Sequence, residues 1–470
     1  MNNTNDVTGA TGATGEVTAV PEEPFPLDLW SEAVYSRRAI PDTLASGGYA
    51  AAAPAPRSAA LPVGQGFPLA QPPLRLEPQR RTRGADGADG TDGTDGAGLS
   101  DPSVLAALLH YSFGLFQHDL SPGSWPLHRA VASARCLYPS ELYLISPRAE
   151  RGHRPAGVYR FDPLHHRLSP VHSVTEGRSP ELYDGHGPSR FLVITSRFAR
   201  TARLYGEYAP RLCAQEAGML LGAVHLVAAA LGLRARPGLD RETLQDLCAG
   251  WVEAGAEHPL GYLEVGPASG ADADPAWVPH DTARALRSRH SGAAIFDPEP
   301  VAAPKALLDE LAAALARSPF PDVSCHLYVN RVAGMPPGQY LCTDDGLRLV
   351  RAGDPVPVLE QIGQTEGRVS MNFRAVAFTA YLAVPRGAAV AAYGADAFRR
   401  LHLAAGAVAH LLCVLAAGHH HSARVHNGYE AATAERLLGP AGTGADQAVL
   451  FQIAVGTAKP SAGFRLPVVF

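Results

Sequence analysis

Arg289, His290 and Ser291 form the triplet best suited to hold an anion. A guanidinium, an imidazole and a hydroxyl together supply charge-assisted donors. The triplet is expected to open a helix, where unpaired backbone N–H groups and the positive dipole end strengthen the attraction. The alternative is an ordinary solvated turn. Tyr205, with Arg203 two places before it, is the candidate for proton transfer. A tyrosine serves as acid or base when a neighbouring cation stabilises its phenolate, whereas an arginine holds its proton too firmly to be an easy base. The alternative is a structural Tyr at a helix start. His419-His420-His421 does not make a metal site, because consecutive side chains cannot all face one ion and no other ligand stands at metal-site spacing. His402 and His410 stand at helical spacing and read as core or interface histidines.

The chain that must position these groups has 470 residues, long enough for two or three domains. Its 46% apolar and 18% charged content describes a globular protein with a sizeable core. A net charge of −5 offers no basic field to nucleic acid. Six cysteines (Cys136, Cys213, Cys248, Cys325, Cys342, Cys413) show no CxxC and no paired spacing, so buried free thiols in a reducing compartment are expected. The N-terminus is polar and acidic, unlike a secretory signal. No stretch of about 18 uncharged apolar residues is expected, Gly218–Leu233 being short and carrying His225. A soluble cytoplasmic protein without a membrane partner follows as an expectation.

Residues 1–98 are expected to be largely flexible. The first 20 repeat Thr, Gly and Ala, and Gly84–Gly98 is a near-repeat of Ala/Thr-Asp-Gly. Regular structure resumes at Leu99, with Ser100 or Asp101 as N-cap and Pro102 in the first turn of a helix. Beyond it the sequence repeats itself. Gly157-Val158-Tyr159-Arg160 returns as Gly338-Gln339-Tyr340-Leu341, Leu204-Tyr205-Gly206 as Ala392-Tyr393-Gly394, and Leu263-Glu264-Val265-Gly266 as Ile453-Ala454-Val455-Gly456. The pairs keep their order at displacements of 181, 188 and 190 residues. Each half reads strand, turn, strand, long apolar helix, strand, which is an α+β pattern in duplicate. The domains are expected at 99–268 and 280–470, divided near Ala268-Ser-Gly-Ala-Asp-Ala-Asp-Pro. The Ala/Leu stripes at Ala214–Leu231 and Leu401–Ala417 are expected to pair as interface helices.

At these residues the first half resembles the FMN-dependent azoline dehydrogenases of ribosomal-peptide biosynthesis, within the nitroreductase superfamily. The resemblance rests on Ser133-Ala134-Arg135-Cys136-Leu137-Tyr138-Pro139-Ser140-Glu141-Leu142-Tyr143, on Gly157–Pro163, on Arg200-Thr-Ala-Arg-Leu-Tyr-Gly206 and on the helix ending Ala228–Leu233. The second half opens with Arg289-His290-Ser291 and Phe296-Asp297, like the start of a nitroreductase, and closes with Phe464-Arg465-Leu466-Pro467, like its basic C-terminal segment. The resemblance covers roughly residues 99–470. It implies tandem nitroreductase-like domains, with antiparallel sheets flanked by helices, packed as an intramolecular pseudo-dimer.

The resemblance also implies FMN as cofactor. Arg289, His290, Ser291 and Arg465 would meet its phosphate, while Ser133, Ala134 and Arg135 would approach the ring from the other half. Asn427 and Gly428 would lie beside N5. The first half's counterpart of the phosphate grip, Arg80-Arg81-Thr82-Arg83, runs into the Gly/Asp tract and reads as degraded. Ser318–Ser324 has likewise lost the ring-side pattern, so one composite site is expected. Tyr205 aligns with the Tyr of a Lys-Tyr-Gly motif whose Lys position holds Leu204, and Arg203 stands one place earlier. The implied reaction is oxidation of thiazoline or oxazoline rings in a precursor peptide, with dioxygen reoxidising the flavin. A cyclodehydratase or leader-binding protein would be the partner. Two other readings remain open: a flavin-poor scaffold of a peptide-modifying complex, and a general nitro- or quinone reductase.

Overall fold

The computed structural model describes residues 30, 34, 66–76, 99–120, 126–149, 154–173, 189–252, 255–268, 278–279, 281–291, 295–365, 368–369, 371–438, 446–459 and 465–468. The Gly84–Gly98 tract, Arg80–Arg83 and most of the stretch after Ala268 lie outside the described residues. Within the N-terminal stretch, Trp30 and Val34 are buried, with the Trp30 ring edge-on to Phe398 at 5.0 Å.

The first part of the chain supplies β1 (Phe67–Pro68), α1 (Pro102–Phe113), β2 (Leu115–Asp119), β3 (Leu127–Arg129), β4 (Ser140–Ser146), β5 (Gly157–Asp162), β6 (Arg167–Ser173), β7 (Arg190–Ser196), α2 (Phe198–Tyr205), α3 (Ala209–Ala230), β8 (Leu233–Gly238), α4 (Arg241–Cys248) and β9 (His258–Pro267). The second supplies α5 (Thr282–Ser288), α6 (Lys305–Leu315), β10 (Ser324–Val329), β11 (Gly338–Thr343), β12 (Gly346–Ala352), α7 (Val356–Gly363), β13 (Gln364–Thr365), β14 (Arg368–Val369), β15 (Val376–Val384), α8 (Arg386–Tyr393), α9 (Asp396–Gly418), β16 (Ser422–His426), α10 (Ala431–Leu438), β17 (Ala448–Gly456) and β18 (Arg465–Pro467). Asp101 caps α1 by accepting from Ser103 N at 2.8 Å, with Pro102 in the first turn.

Two large antiparallel sheets result, beside the small β13-β14 and β18-β2-β3 sheets. One runs β1-β6-β5-β4-β7-β9-β8 and the other β12-β11-β10-β15-β17-β16. Without β1 the two orders correspond strand for strand. The correspondence reaches single bonds. Tyr159 donates to the Pro155 carbonyl at 2.6 Å, and Tyr340 donates to that of Pro336 at 2.8 Å. Register slips after Val158 and after Gln339 leave Val171 and Val350 as bulges at matching places. Gly206 ends α2 at φ 51°, ψ −133°, and Gly394 ends α8 at φ 56°, ψ −133°. That backbone conformation is open to glycine alone, which accounts for the Tyr-Gly pair recurring in both halves.

The apolar helices α3 and α9 cross between the sheets and are buried nearly all round. They touch backbone to backbone: a Cβ added at Gly218 would lie 2.5 Å from the Leu403 carbonyl, and one at Gly406 would lie 2.8 Å from the Gly218 Cα. By length and composition, Phe198–Ala230 and Asp396–Gly418 could each cross a membrane, contrary to the expectation that no such stretch exists. Their apolar windows are 83% and 94% buried inside the protein, so packing of the two halves accounts for both. The chain closes on itself at β18, which pairs antiparallel with β2 and makes a three-stranded sheet with β3.

Candidate functional site

The loop between β3 and β4 carries Ser133, Ala134 and Arg135, and its backbone is strained. Arg135, Cys136 and Tyr138 take φ of 49°, 53° and 47°, a region that side chains disfavour. Three such residues in four positions persist only where the surroundings over-determine them, and strain of this kind concentrates at functional sites. Here the surroundings are explicit. Ser133 Oγ accepts from Tyr138 N at 2.9 Å, and the Tyr138 hydroxyl accepts from Arg129 N at 2.9 Å. Ser140 N donates at 3.1 Å to Glu216, a buried carboxylate of α3 that also hydrogen-bonds the Ser133 side chain. Burial raises the Glu216 pKa against those bonds. From α2, Arg200 donates to the Tyr138 carbonyl at 2.8 Å and to Glu141 at 2.5 Å.

Contrary to expectation, Arg289-His290-Ser291 does not open a helix but follows the last turn of α5, with Arg289 as its C-cap. Asp281 is the N-cap, accepting from Arg284 N at 3.0 Å, so the helix lies before the triplet and its dipole gives no N-terminal anion site there. The arginine turns inward. Arg289 Nε donates to the Ala130 carbonyl at 2.8 Å and Nη2 to that of Arg129 at 3.2 Å, both on the first half beside the strained loop. Nη1 of Arg289 and Nη1 of Arg129 are buried without a hydrogen-bond partner. Burial lowers the His290 pKa, the bond to the Ser288 carbonyl opposes this, and the charges of Arg465 and Arg289 add to it. Arg465 also pairs through Nε with Asp119 of β2 at 3.3 Å.

Asn427 and Gly428 lie between β16 and α10, not at a helix C-terminus. Asn427 Nδ2 donates to Gln215 Oε1 at 2.7 Å, and Gln215 Nε2 donates back at 3.3 Å and to the Leu450 carbonyl at 2.9 Å. Gln215 and Glu216 are neighbours on α3. One therefore holds the second half's turn while the other holds the first half's strained loop. In α9 the matching places, 188 residues on, carry Leu403 and Ala404. This pair of polar residues inside an apolar helix was the available sequence signal for the site.

Tyr205 ends α2 and is not at a helix start; it is half-buried against the core, while Arg203 is exposed. Its counterpart Tyr393 is 48% exposed, under the guanidinium of Arg400 at 4.4 Å from the ring centre. The structure ties α2 to the strained loop through Arg200. Ser318–Ser324, the second half's counterpart of the loop, contains no left-handed residue.

Among the described residues no cluster of His, Cys, Asp or Glu could hold a metal ion. His421 Nδ1 meets the His419 carbonyl at 2.8 Å, and His419 reaches Glu310 at 3.2 Å. His402 and His410 are buried in α9, and burial lowers both to a pKa of about 3. All six cysteines are free; Cys136 and Cys342 are only partly buried.

No protein-family model matches the chain. A protein of Methanocaldococcus jannaschii named as a nitroreductase is 28% identical over 140 residues, spanning 28% of this chain and 67% of that protein. A crystal structure from Anabaena variabilis, also named as a nitroreductase, superposes with a TM-score of 0.61 at 20% identity, covering 79% of this chain and 90% of that one. A chain of the E. coli microcin synthetase complex aligns over 35% of this chain and 63% of its own length, at 24% identity and a TM-score of 0.28. The chain therefore has a nitroreductase-like α+β fold, with antiparallel sheets flanked by helices in tandem, and a nitroreductase homologue in sequence.

Proposed function

We propose that the chain is an FMN-dependent oxidoreductase with one composite flavin site, and that it oxidises thiazoline or oxazoline rings of a ribosomally made peptide to thiazole or oxazole. The observation that carries this reading is that both halves meet at the strained Ser133–Tyr138 loop: Glu216 holds that loop, its neighbour Gln215 holds Asn427, and Arg289 bonds the Arg129–Ala130 backbone just before the loop. The residues fit the cofactor. Two buried guanidinium nitrogens without partners, joined through the Arg129 carbonyl, are donors of the kind a phosphate dianion uses. Arg289, His290, Ser291 and Arg465 would hold the phosphate, Arg465 exchanging Asp119 for it. Ser133, Ala134 and Arg135 would border the ring from one half, and Asn427 and Gly428 from the other.

Bound FMN supplies the hydride acceptor, and dioxygen restores it. The chain's own work is to orient the peptide ring and remove its proton. Tyr205 is assigned that proton, and Leu204 leaves no lysine to share the task. The precursor peptide is the substrate, a cyclodehydratase or leader-binding protein the partner, and the cytoplasm the compartment. A scaffold role in a peptide-modifying complex is the second reading, favoured by Leu204 and by the Asp119 carboxylate already paired with Arg465.

The visible spectrum of the purified protein separates the two. Yellow protein that releases FMN on denaturation supports the enzyme. Colourless protein that cannot be reconstituted with FMN supports the scaffold.

A further inference from the structure

We infer that Cys325 and Cys342 form an oxidation site, closing to a disulfide on reaction with hydrogen peroxide and stapling the outer hairpin of the second half to the strand behind it. The register of the sheet brings the two together. β10 and β11 run antiparallel, with Tyr328 opposite Gln339, Leu327 opposite Tyr340 and His326 opposite Leu341. One further step sets Cys325 opposite Cys342, so both side chains leave the same face of the sheet. Opposed residues of an antiparallel pair hold their Cα atoms about 4.5–5.5 Å apart, inside the range of about 4.4–6.8 Å that a disulfide spans. The two thiols already meet, hydrogen-bonded to one another.

The first half shows that the core at this place has no need of sulfur. There Leu144 lies opposite Tyr159 and Tyr143 opposite Arg160, and one further step sets Leu142 opposite Phe161. Leu142 and Phe161 thus stand where Cys325 and Cys342 stand, and both are fully buried. One copy alone carries thiols at both facing positions. The other four cysteines share no ladder: Cys136 lies in the strained loop, Cys213 on α3, Cys248 at the end of α4 and Cys413 on α9.

The two thiols differ in reach, and that sets the order of events. Cys342 is partly buried, two residues before the exposed Asp344 and Asp345. Cys325 is 1% exposed, and its bond to Cys342 together with burial raises its pKa, so it stays a thiol. Cys342 therefore meets the oxidant first. Its sulfur takes one oxygen of hydrogen peroxide as the O–O bond breaks, giving a sulfenic acid, and the thiol proton leaves with the displaced hydroxide as water. The Cys325 sulfur then attacks that sulfur, and its own proton leaves with the second hydroxide as water. Two thiols and one peroxide give one disulfide and two waters.

The bond would close a ring over residues 326–341 and tie β11, with the outermost strand β12, to β10. β12 is the part of this sheet held from one side only among the described residues, with Leu349 and Val350 exposed on it. Reoxidation by dioxygen under the proposed function releases the same peroxide, yet the inference needs no flavin and stands apart from that reading.

Mass spectrometry on the full chain, alkylated under denaturing conditions before and after hydrogen peroxide, tests it. Peroxide is expected to remove two alkylation sites, and the digest to yield one cross-link, between Cys325 and Cys342, that dithiothreitol opens. The oxidised chain is expected to melt about 3–6 °C higher, because the staple restricts the unfolded chain. Cys342→Ser and Cys325→Val are each expected to lose both the cross-link and the rise. The valine keeps the buried position apolar, and melting of the reduced variants shows that they fold. Cys325 staying alkylatable while Cys342 is oxidised further, cross-links to other cysteines instead, or a cross-link that leaves melting unchanged would each overturn the inference.

Discussion

Arg211 and Arg399 make the same contact in opposite directions. Arg211, on α3, donates through Nη2 to the Leu450 carbonyl of β17 at 3.0 Å and reaches the Tyr429 hydroxyl at 3.1 Å. Arg399, on α9, donates to the Leu260 carbonyl of β9 and to that of Leu239 at 2.6 Å. The two arginines stand 188 residues apart and the two leucines 190, so each long helix sends a buried cation across to the matching strand of the other half. Neither cation is a surface ornament: both are buried, and Arg399 is also paired with Asp396 at 2.7 Å.

The seam beneath those arginines sets the first prediction. Gly218→Val and Gly406→Val each place side-chain atoms where backbone of the partner helix already lies. Overpacking of this kind costs about 1–3 kcal/mol and forces the helices apart. Urea unfolding is expected to shift to lower midpoint in both variants, with flavin content falling alongside. A variant of normal stability would mean the helices do not cross at these glycines.

The second prediction is one FMN per chain. Gln215 and Glu216 have only Leu403 and Ala404 as counterparts, so the mirror site lacks its polar supports. Flavin released on denaturation, counted against protein, is expected to approach one, and two would refute the single site. Arg289→Ala with Arg465→Ala removes two charged donors worth about 1.5–3 kcal/mol each, a fall in FMN affinity of roughly 10² to 10⁴. Thermal melting of the flavin-free variant checks that Arg289's bonds to Ala130 and Arg129 are not the cause.

Acid stability supplies the third. His402 and His410 are neutral in the fold with pKa of about 3, against 6.5 for a free histidine, because burial excludes the charged form. Between those values the unfolded chain binds protons that the folded chain refuses. Stability is therefore present in full above pH 6.5 and drains as pH falls toward 3. Urea titrations at several pH values are expected to show that slope, and His410→Leu is expected to lessen it by about one proton. An unchanged slope would mean that His410 is charged in the folded protein.

Tyr205 and Tyr393 form the fourth, as a contrast between copies. If Tyr205 takes the ring proton, Tyr205→Phe is expected to keep flavin and slow azoline oxidation by about 10² to 10⁴, while Tyr393→Phe is nearly silent. Single-turnover bleaching of bound flavin by a heterocycle-bearing peptide reads the step directly. Wild-type rates in both variants would leave the Tyr-Gly pairs as helix ends alone, a role their glycines already explain.

The duplication was legible because glycine caps, strand motifs and apolar helices are local patterns, and their spacing survives in one sequence. The α1 cap at Asp101 was legible for the same reason. Other features depend on what a residue meets across the seam. Arg289 turns from a helix opener into an inward anchor because Asp281 had already begun the helix. Arg135, Cys136 and Tyr138 are not residues that announce a left-handed backbone; Glu216 and Tyr138's bonds impose it. The partners of Arg211 and Gln215 are set by how two helices cross, which no local window records.

A symmetric dimer writes every interface residue twice, so one copy cannot change without the other. Here β18 stitches the end of the chain to β2 near its beginning, and both copies are inherited as one gene product. Each copy is then free to drift alone: Glu216 can be kept where Ala404 is not, and Arg211 can stay matched to Arg399 while their neighbours diverge. Covalent linkage thus turns a repeated surface into two surfaces that selection can treat separately.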